Sequence, residues 1–168
     1  YGDFMSKILN SLFGNISKNG DYEAKIASKD VGEITVRLFV DSSFDEVDIL
    51  KIEDFLKRLD EVIDASKRRI IDLCQGGVGY AEEMTDYMNF VLAESKGKRV
   101  SDFSEEFNKK IQEISVTEFI ESLKLKSIQI SLKYKTIVFD YCHGRDLGEI
   151  WAVNYSLDME FIDMTCES

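Results

Sequence analysis

The residues of this chain that could do chemistry are few and lie close together near the C-terminus. His143 is the only histidine, and it directly follows Cys142 in the same short segment as Asp140. A Cys–His or Asp–His pair must bring both side chains together, whereas neighbours in an extended segment point to opposite faces. We therefore interpret His143 as a turn residue, predict no catalytic residue, and favour a protein that is not an enzyme.

Cysteine usage gives little support for a metal site. Cys74, Cys142 and Cys166 are widely spaced, which matches neither a disulfide framework nor a metal-binding knuckle. With one histidine, a zinc site would need ligands from distant segments. We predict no metal, no cofactor and reduced thiols. No apolar run reaches the ~18 residues that span a bilayer, and no signal peptide is expected, so the predicted location is the cytoplasm.

Two other patterns resemble binding motifs. Gly76-Gly-Val-Gly79 suggests a phosphate loop, but such loops follow a strand and end in Lys-Ser/Thr. These glycines follow a helical stretch and are expected to end it. The clusters Lys67–Arg69 and Lys96–Arg99 are interpreted as local salt-bridging faces, because the net charge of -11 argues against nucleic-acid and membrane partners.

Two strand-forming regions flank the middle of the chain. Apolar and polar residues alternate through 22–26 and 34–40, which predicts a hairpin that turns at Lys29–Gly32. Four more strands are predicted at 127–133, 137–141, 150–155 and 161–165. Because short loops cannot join parallel strands, these four are expected to form an antiparallel meander that shares one sheet with the hairpin.

The middle of the chain has helical periodicity. Apolar stripes occur at a spacing near 3.6 residues from Ile49 to Cys74, from Tyr80 to Val91 and from Phe103 to Ile114. Ser43–Glu46 and Ser115–Glu118 match capping boxes, which mark helix starts. A kink is predicted at 60–64.

The order of strands, helices and strands predicts a single α+β domain over 1–168. We expect an antiparallel sheet of an N-terminal hairpin plus a C-terminal four-strand meander. Several helices, about 43–125, are inserted between them and packed on one face. Residues 1–11 are interpreted as disordered or cloning-derived, and Ser6–Ile16 as either a short amphipathic helix or an edge strand.

The C-terminal quarter resembles a known bacterial family. Phe139-Asp-Tyr141, Gly144, Leu147 and the close Phe161–Ser168 are similar to the C-terminal signature of the uncharacterised domain-of-unknown-function family numbered 2004. The resemblance covers roughly Leu12 to Ser168 and favours the edge-strand interpretation of the N-terminal segment. It supports the predicted fold and implies no particular activity. The chain departs from the family at Cys142-His143, which argues against a site there.

The polar and aromatic residues around that motif suggest a surface for a protein partner. Asp140, Tyr141, Arg145 and Trp151 include the residue types that dominate binding hot spots. A structural alternative is an ion pair from Asp140 to Arg145 or Arg37.

Three functions stay open. The first is a non-catalytic acidic module that binds a basic protein, in the manner of an immunity protein. The second is a small-ligand-binding protein or enzyme with a cleft, for instance one that gathers Asp140 and Glu149. The third is a structural homodimer paired through an edge strand, so the predicted state is monomer or homodimer.

Overall fold

The structure, a computed structural model, describes residues 7–14, 16, 19–29, 31–41, 45–75, 79–97, 115–143 and 149–167. Five helices and six strands lie in these ranges. In chain order they are α1 (Lys7–Phe13), β1 (Gly20–Ser28), β2 (Gly32–Val40), α2 (Glu46–Lys57), α3 (Leu59–Gln75), α4 (Tyr80–Gly97), α5 (Val116–Ser122), β3 (Lys124–Ser131), β4 (Thr136–Cys142), β5 (Ile150–Ser156) and β6 (Phe161–Glu167). The α+β class is confirmed.

The six strands form one mixed sheet in the order β1-β2-β3-β4-β5-β6. Every neighbouring pair is antiparallel except β2 and β3, which are parallel. The prediction of a wholly antiparallel sheet was therefore wrong at this one pairing. The physical reason is the long connection: the chain leaves β2, passes through the helices and returns at β3, and a connection of that length permits a parallel pair.

One face of the sheet carries the hydrophobic core. A row of apolar side chains crosses five strands in register, from Val36 through Ile128, Phe139 and Val153 to Met164, and all five are buried. Because side chains alternate along a strand, their neighbours point to the opposite face.

The helices α2 and α4 pack against aromatic residues of this core face. The ring of Phe55 on α2 lies 5.9 Å from that of Phe139. The ring of Tyr87 on α4 lies 5.6 Å from that of Trp151. These contacts extend the core from the sheet into the helical layer.

Helix starts follow side-chain capping, with one correction. Ser115 caps α5 as predicted, because its side chain accepts a hydrogen bond from the Glu118 amide. The capping box of α2 is formed by Asp45 and Asp48, whereas the sequence predicted it at Ser43 and Glu46, and Ser43 lies outside the described residues. Both Asp45 and Asp48 are acidic, and a carboxylate suits the electropositive start of a helix.

The remaining helix predictions have mixed outcomes. Residues 7–13 form a helix, so the edge-strand alternative was wrong. The predicted kink at 60–64 lies instead at Arg58, where α2 ends and α3 begins. The stripe from 103 to 114 lies outside the described residues. No helix in the described ranges is long and apolar enough to cross a membrane.

An ion pair between the buried Asp48 and the exposed Lys135 links the start of α2 to the β3–β4 turn. Asp48 is buried and accepts a hydrogen bond from the Lys135 ammonium group. That hydrogen bond is the main reason why the pKa of Lys135 is raised. Lys135 has a left-handed backbone (φ 57) in the turn, which most side chains avoid. The pair therefore holds a strained turn against the helical layer.

We expect Asp48→Ala to lower the free energy of unfolding by roughly 1–3 kcal/mol, because it removes both the ion pair and half of the α2 capping box. Urea denaturation measures the change. The matched control is Glu46→Ala, an exposed acidic residue in the same helical turn, for which we expect less than about 0.5 kcal/mol. Equal losses in the two variants would contradict the role of the ion pair.

Candidate functional site

Three of the four residues predicted as a recognition surface are buried. Asp140, Tyr141 and Trp151 are 2%, 0% and 0% exposed, and Arg145 lies outside the described residues. Tyr141 and Trp151 face each other across β4 and β5 on the core face. The physical reason is burial of apolar area: the two large aromatic rings are worth more to stability inside the core than at the surface.

Asp140 is held by polar neighbours on the other face of β4. Its Oδ2 atom accepts hydrogen bonds from Ser127 Oγ at 2.9 Å and Gln129 Nε2 at 2.8 Å. The predicted ion pair to Arg37 is wrong, because Arg37 binds Glu23. Glu149 accepts a hydrogen bond from Cys166 instead of joining Asp140 in a cleft.

His143 and the cysteines do not assemble a reactive centre in the described part of the chain. The His143 ring stacks on Phe119 with centroids 5.0 Å apart, and burial lowers its pKa. Cys74 is buried, and burial raises its pKa to about 11. Among the described residues, no three His, Cys, Asp or Glu side chains are grouped to hold a metal ion. Gly76, Gly77 and Val78 lie outside those residues.

The site that the structure does offer is a cleft between α3 and the β5–β6 hairpin. Its volume is about 480 Å³, which is within the range of small-molecule sites. One wall is a single face of the α3 region, since its residues recur every three or four positions. They are Arg58, Glu61, Val62, Ala65, Ser66 and Arg69. The hairpin wall consists of Tyr155, Met159, Glu160 and Phe161.

Three buried hydroxyl groups form a chain beneath this cleft. Tyr141 Oη donates to Ser66 Oγ at 3.0 Å, and Ser66 Oγ lies 2.7 Å from Tyr155 Oη. Ser66 and Tyr155 also line the cleft. Burial raises the pKa of Tyr155 despite its hydrogen bond with Ser66 and the positive charge of Arg69. The hydroxyl of Tyr155 therefore stays protonated and serves as a hydrogen-bonding group.

The two arginines of the cleft are held differently. Arg58 binds Asp54 through both Nε and Nη2, at 3.2 and 2.8 Å. Arg69 makes no ion pair with any described residue, and its guanidinium carbon lies 5.5 Å from the ring centroid of Phe161. Such stacking orients a guanidinium group while leaving its N–H groups available at the edge.

The hairpin turn that forms the far wall is firmly braced. Ser156 Oγ accepts hydrogen bonds from the amides of Asp158 and Glu160, both at 3.2 Å. Lys51 on α2 binds Asp158 at 3.0 Å. Met159 has a left-handed backbone (φ 62), and strained residues of this kind concentrate at functional sites. The result is a wall whose shape is set before any ligand arrives.

A second cleft of about 480 Å³ lies beside the β3–β4 turn, with Phe39, Gln129, Lys133, Tyr134 and Val138 in its lining. Its Gln129 side chain already binds Asp140, and the described residues of its lining include no buried pair of linked hydroxyl groups. The first cleft is the stronger candidate because buried hydroxyls and an arginine without a carboxylate partner converge there.

Sequence reasoning missed this cleft. Arg69 belonged to a cluster interpreted as a salt-bridging surface, and Ser66 and Tyr155 carried no motif. The one available signal was the spacing of Arg58, Val62, Ser66 and Arg69, which places them on one helix face.

Comparisons with protein-family models, with curated proteins and with solved structures found no match for this chain. The resemblance to the family of unknown function numbered 2004 therefore remains a prediction.

We expect Ser66→Ala to destabilise the protein more than Tyr141→Phe. The serine variant leaves two tyrosine hydroxyls without their partner, and a buried group that loses its hydrogen bond costs roughly 1–3 kcal/mol. Tyr141→Phe removes one donor and keeps the Ser66–Tyr155 bond, so about 1 kcal/mol is expected. Urea denaturation of both variants is the measurement, and a smaller loss for Ser66→Ala would contradict the chain of hydroxyls.

Glu149 is expected to suppress the reactivity of Cys166. Cys166 is exposed, and its Sγ atom donates to Glu149 Oε2 at 3.1 Å. Loss of water around the thiol group, and after it the hydrogen bond to Glu149, raise the pKa of Cys166 to about 12.

Glu149→Gln should lower the pKa of Cys166. Each pKa unit of that decrease raises the fraction of reactive thiolate about tenfold at about pH 8. A disulfide reagent that releases a coloured thiol measures the rate. Glu160→Gln is the control, and equal rates in the two variants would refute the effect of Glu149.

Proposed function

We propose that this protein binds a small molecule in the cleft between α3 and the β5–β6 hairpin. The observation that carries the proposal is a buried Ser66–Tyr155 hydroxyl pair whose two residues line a cleft that also contains Arg69. Buried polar groups on a concave surface are typical of ligand sites, where a few of them orient a largely apolar molecule. This is the second of the three functions considered from the sequence.

A binding role accounts for the chemistry of the lining better than a catalytic one. Burial keeps the Tyr155 hydroxyl protonated, so it suits hydrogen bonding and not proton abstraction. Glu61 and Glu160 are exposed, whereas the carboxyl groups that act as general acids lie in buried, apolar surroundings.

The acidic partner-binding function remains a proposal with one support, the net charge of -11. Its four-residue surface is lost, because three members are buried. The homodimer also remains a proposal. It is supported by the position of β1 and β6 at the two edges of the described sheet, since edge strands offer unpaired backbone groups.

The test is a thermal-shift screen with a cleft-filling variant. Ala65 is exposed and lines the cleft, so Ala65→Trp should block the cleft without disturbing the core. Ala27→Trp, at an exposed alanine on β1, adds the same bulk elsewhere. The library contains small carboxylates, phosphates, amines and neutral aromatic compounds.

We expect at least one compound to stabilise the natural protein and Ala27→Trp, but not Ala65→Trp. A ligand at 100 times its Kd adds about 2.7 kcal/mol, which raises the Tm by roughly 5 °C or more for a chain of this size. The proposal fails if no compound stabilises the protein, or if every hit stabilises Ala65→Trp equally.

A further inference from the structure

We propose that the ligand of this cleft is a small monocarboxylate with an apolar, aromatic body. Its carboxylate is expected to accept hydrogen bonds from Arg69 and from the hydroxyl pair of Ser66 and Tyr155. Its body packs against Val62, Met159 and Phe161. This inference rests on the proposed function and specifies the chemical class of the molecule bound.

A count of hydroxyl protons places one donor at the floor of the cleft. Tyr141, Ser66 and Tyr155 have three hydroxyl protons, but only two hydrogen bonds join them. Tyr141 uses its proton on Ser66. The bond between Ser66 and Tyr155 uses one more, whichever of them donates. The third proton therefore belongs to Ser66 or Tyr155, and both line the cleft.

That remaining proton has no acceptor among the described residues. A buried donor without an acceptor is costly, so a ligand that accepts it gains affinity. The floor of the cleft therefore selects a ligand with an exposed oxygen acceptor. A primary amine cation would present donors to this proton and is disfavoured.

Arg69 adds positive charge beside this donor. Arg69 lies three residues after Ser66 on the same face of α3, and both residues line the cleft, so one ligand group can contact both. Arg69 has no ion pair with a described residue, whereas Arg58 is bound to Asp54. A planar guanidinium edge pairs with a carboxylate through two parallel hydrogen bonds. The acceptor on the ligand is therefore expected to be a carboxylate.

The total charge of the lining restricts the ligand further. Arg58 and Arg69 are balanced by Glu61 and Glu160 in the same lining. A dianion such as phosphate would meet repulsion from the two glutamates, while a single carboxylate needs only Arg69. The apolar side chains of Val62, Met159 and Phe161 favour an apolar body, and the ring of Phe161 offers an aromatic contact.

The experiment is an NMR titration in which each probe is added to ¹⁵N-labelled protein and the chemical shifts of the backbone amides are measured. The probes are phenylacetate, its neutral analogue phenylacetamide, and inorganic phosphate. The variants are Arg69→Ala and Arg37→Ala. Arg37 is exposed on β2 and bound to Glu23, so its removal changes the net charge by the same amount outside the cleft.

We expect phenylacetate to shift the amides of α3 and of the β5–β6 hairpin. Arg69→Ala should weaken its binding about tenfold or more, as for a lost hydrogen bond to a charged group. Arg37→Ala should change it less than about twofold, since exposed charges at a distance are screened. Arg69→Gln, which keeps most of the side-chain length, should reproduce the loss and guards against misfolding of the alanine variant.

Several results would overturn the inference. Equal affinities for phenylacetate and phenylacetamide would show that the cleft does not recognise the charge of the carboxylate. If Arg69→Ala bound phenylacetate as tightly as the natural protein does, Arg69 would not contact the ligand. If phosphate shifted the same amides more strongly than phenylacetate, the preferred ligand would be a dianion and not a monocarboxylate. If none of the three probes binds while the screen finds a hit that Ala65→Trp loses, the monocarboxylate class is wrong and the proposed function stands.

Discussion

The parallel pairing of β2 with β3 is the constraint on which the rest of the structure depends. It lies inside the sheet, between the N-terminal hairpin and the β3–β6 meander, and joins two segments separated by the helices α2 to α5. A parallel pair requires the chain to return to the starting end of the sheet. The helices make this return, and α2 and α4 thereby cover the aromatic face of β4 and β5. The cleft exists because α3 lies beside the β5–β6 hairpin as part of the same crossing.

The local elements of the fold were predictable because their signals are local. The alternation in Ile34–Val40 and Ile128–Ile130 marked strands, and the stripe from Ile49 to Cys74 marked helices. The alternation of apolar and polar residues does not indicate whether a strand pairs in parallel. A strand with one exposed face buries the same side chains in either direction. The hairpin and the meander were therefore predicted, whereas the parallel β2–β3 pairing that joins them was not.

The candidate site was beyond sequence reasoning for a different reason. Its two walls come from α3 and the β5–β6 hairpin, which meet only through tertiary packing. The motif residues drew attention by type, yet Tyr141 and Trp151 fill the core and Asp140 is satisfied by Ser127 and Gln129. Tyr141 nevertheless contributes indirectly. Its hydroxyl group donates to Ser66, so one hydroxyl proton of the Ser66–Tyr155 pair is left for a ligand in the cleft.

The strand order also has a consequence for how the chain folds. Within the β3–β6 meander every pairing joins strands that follow each other directly in the chain, so these contacts close short loops. The β2–β3 contact closes a very long loop, which carries a larger entropic cost and slows its formation. The C-terminal meander is thus expected to assemble early, with the N-terminal hairpin joining late. A chain arrested between these steps would expose the edge of β3 to other chains, and the rate of the final docking would govern its tendency to aggregate.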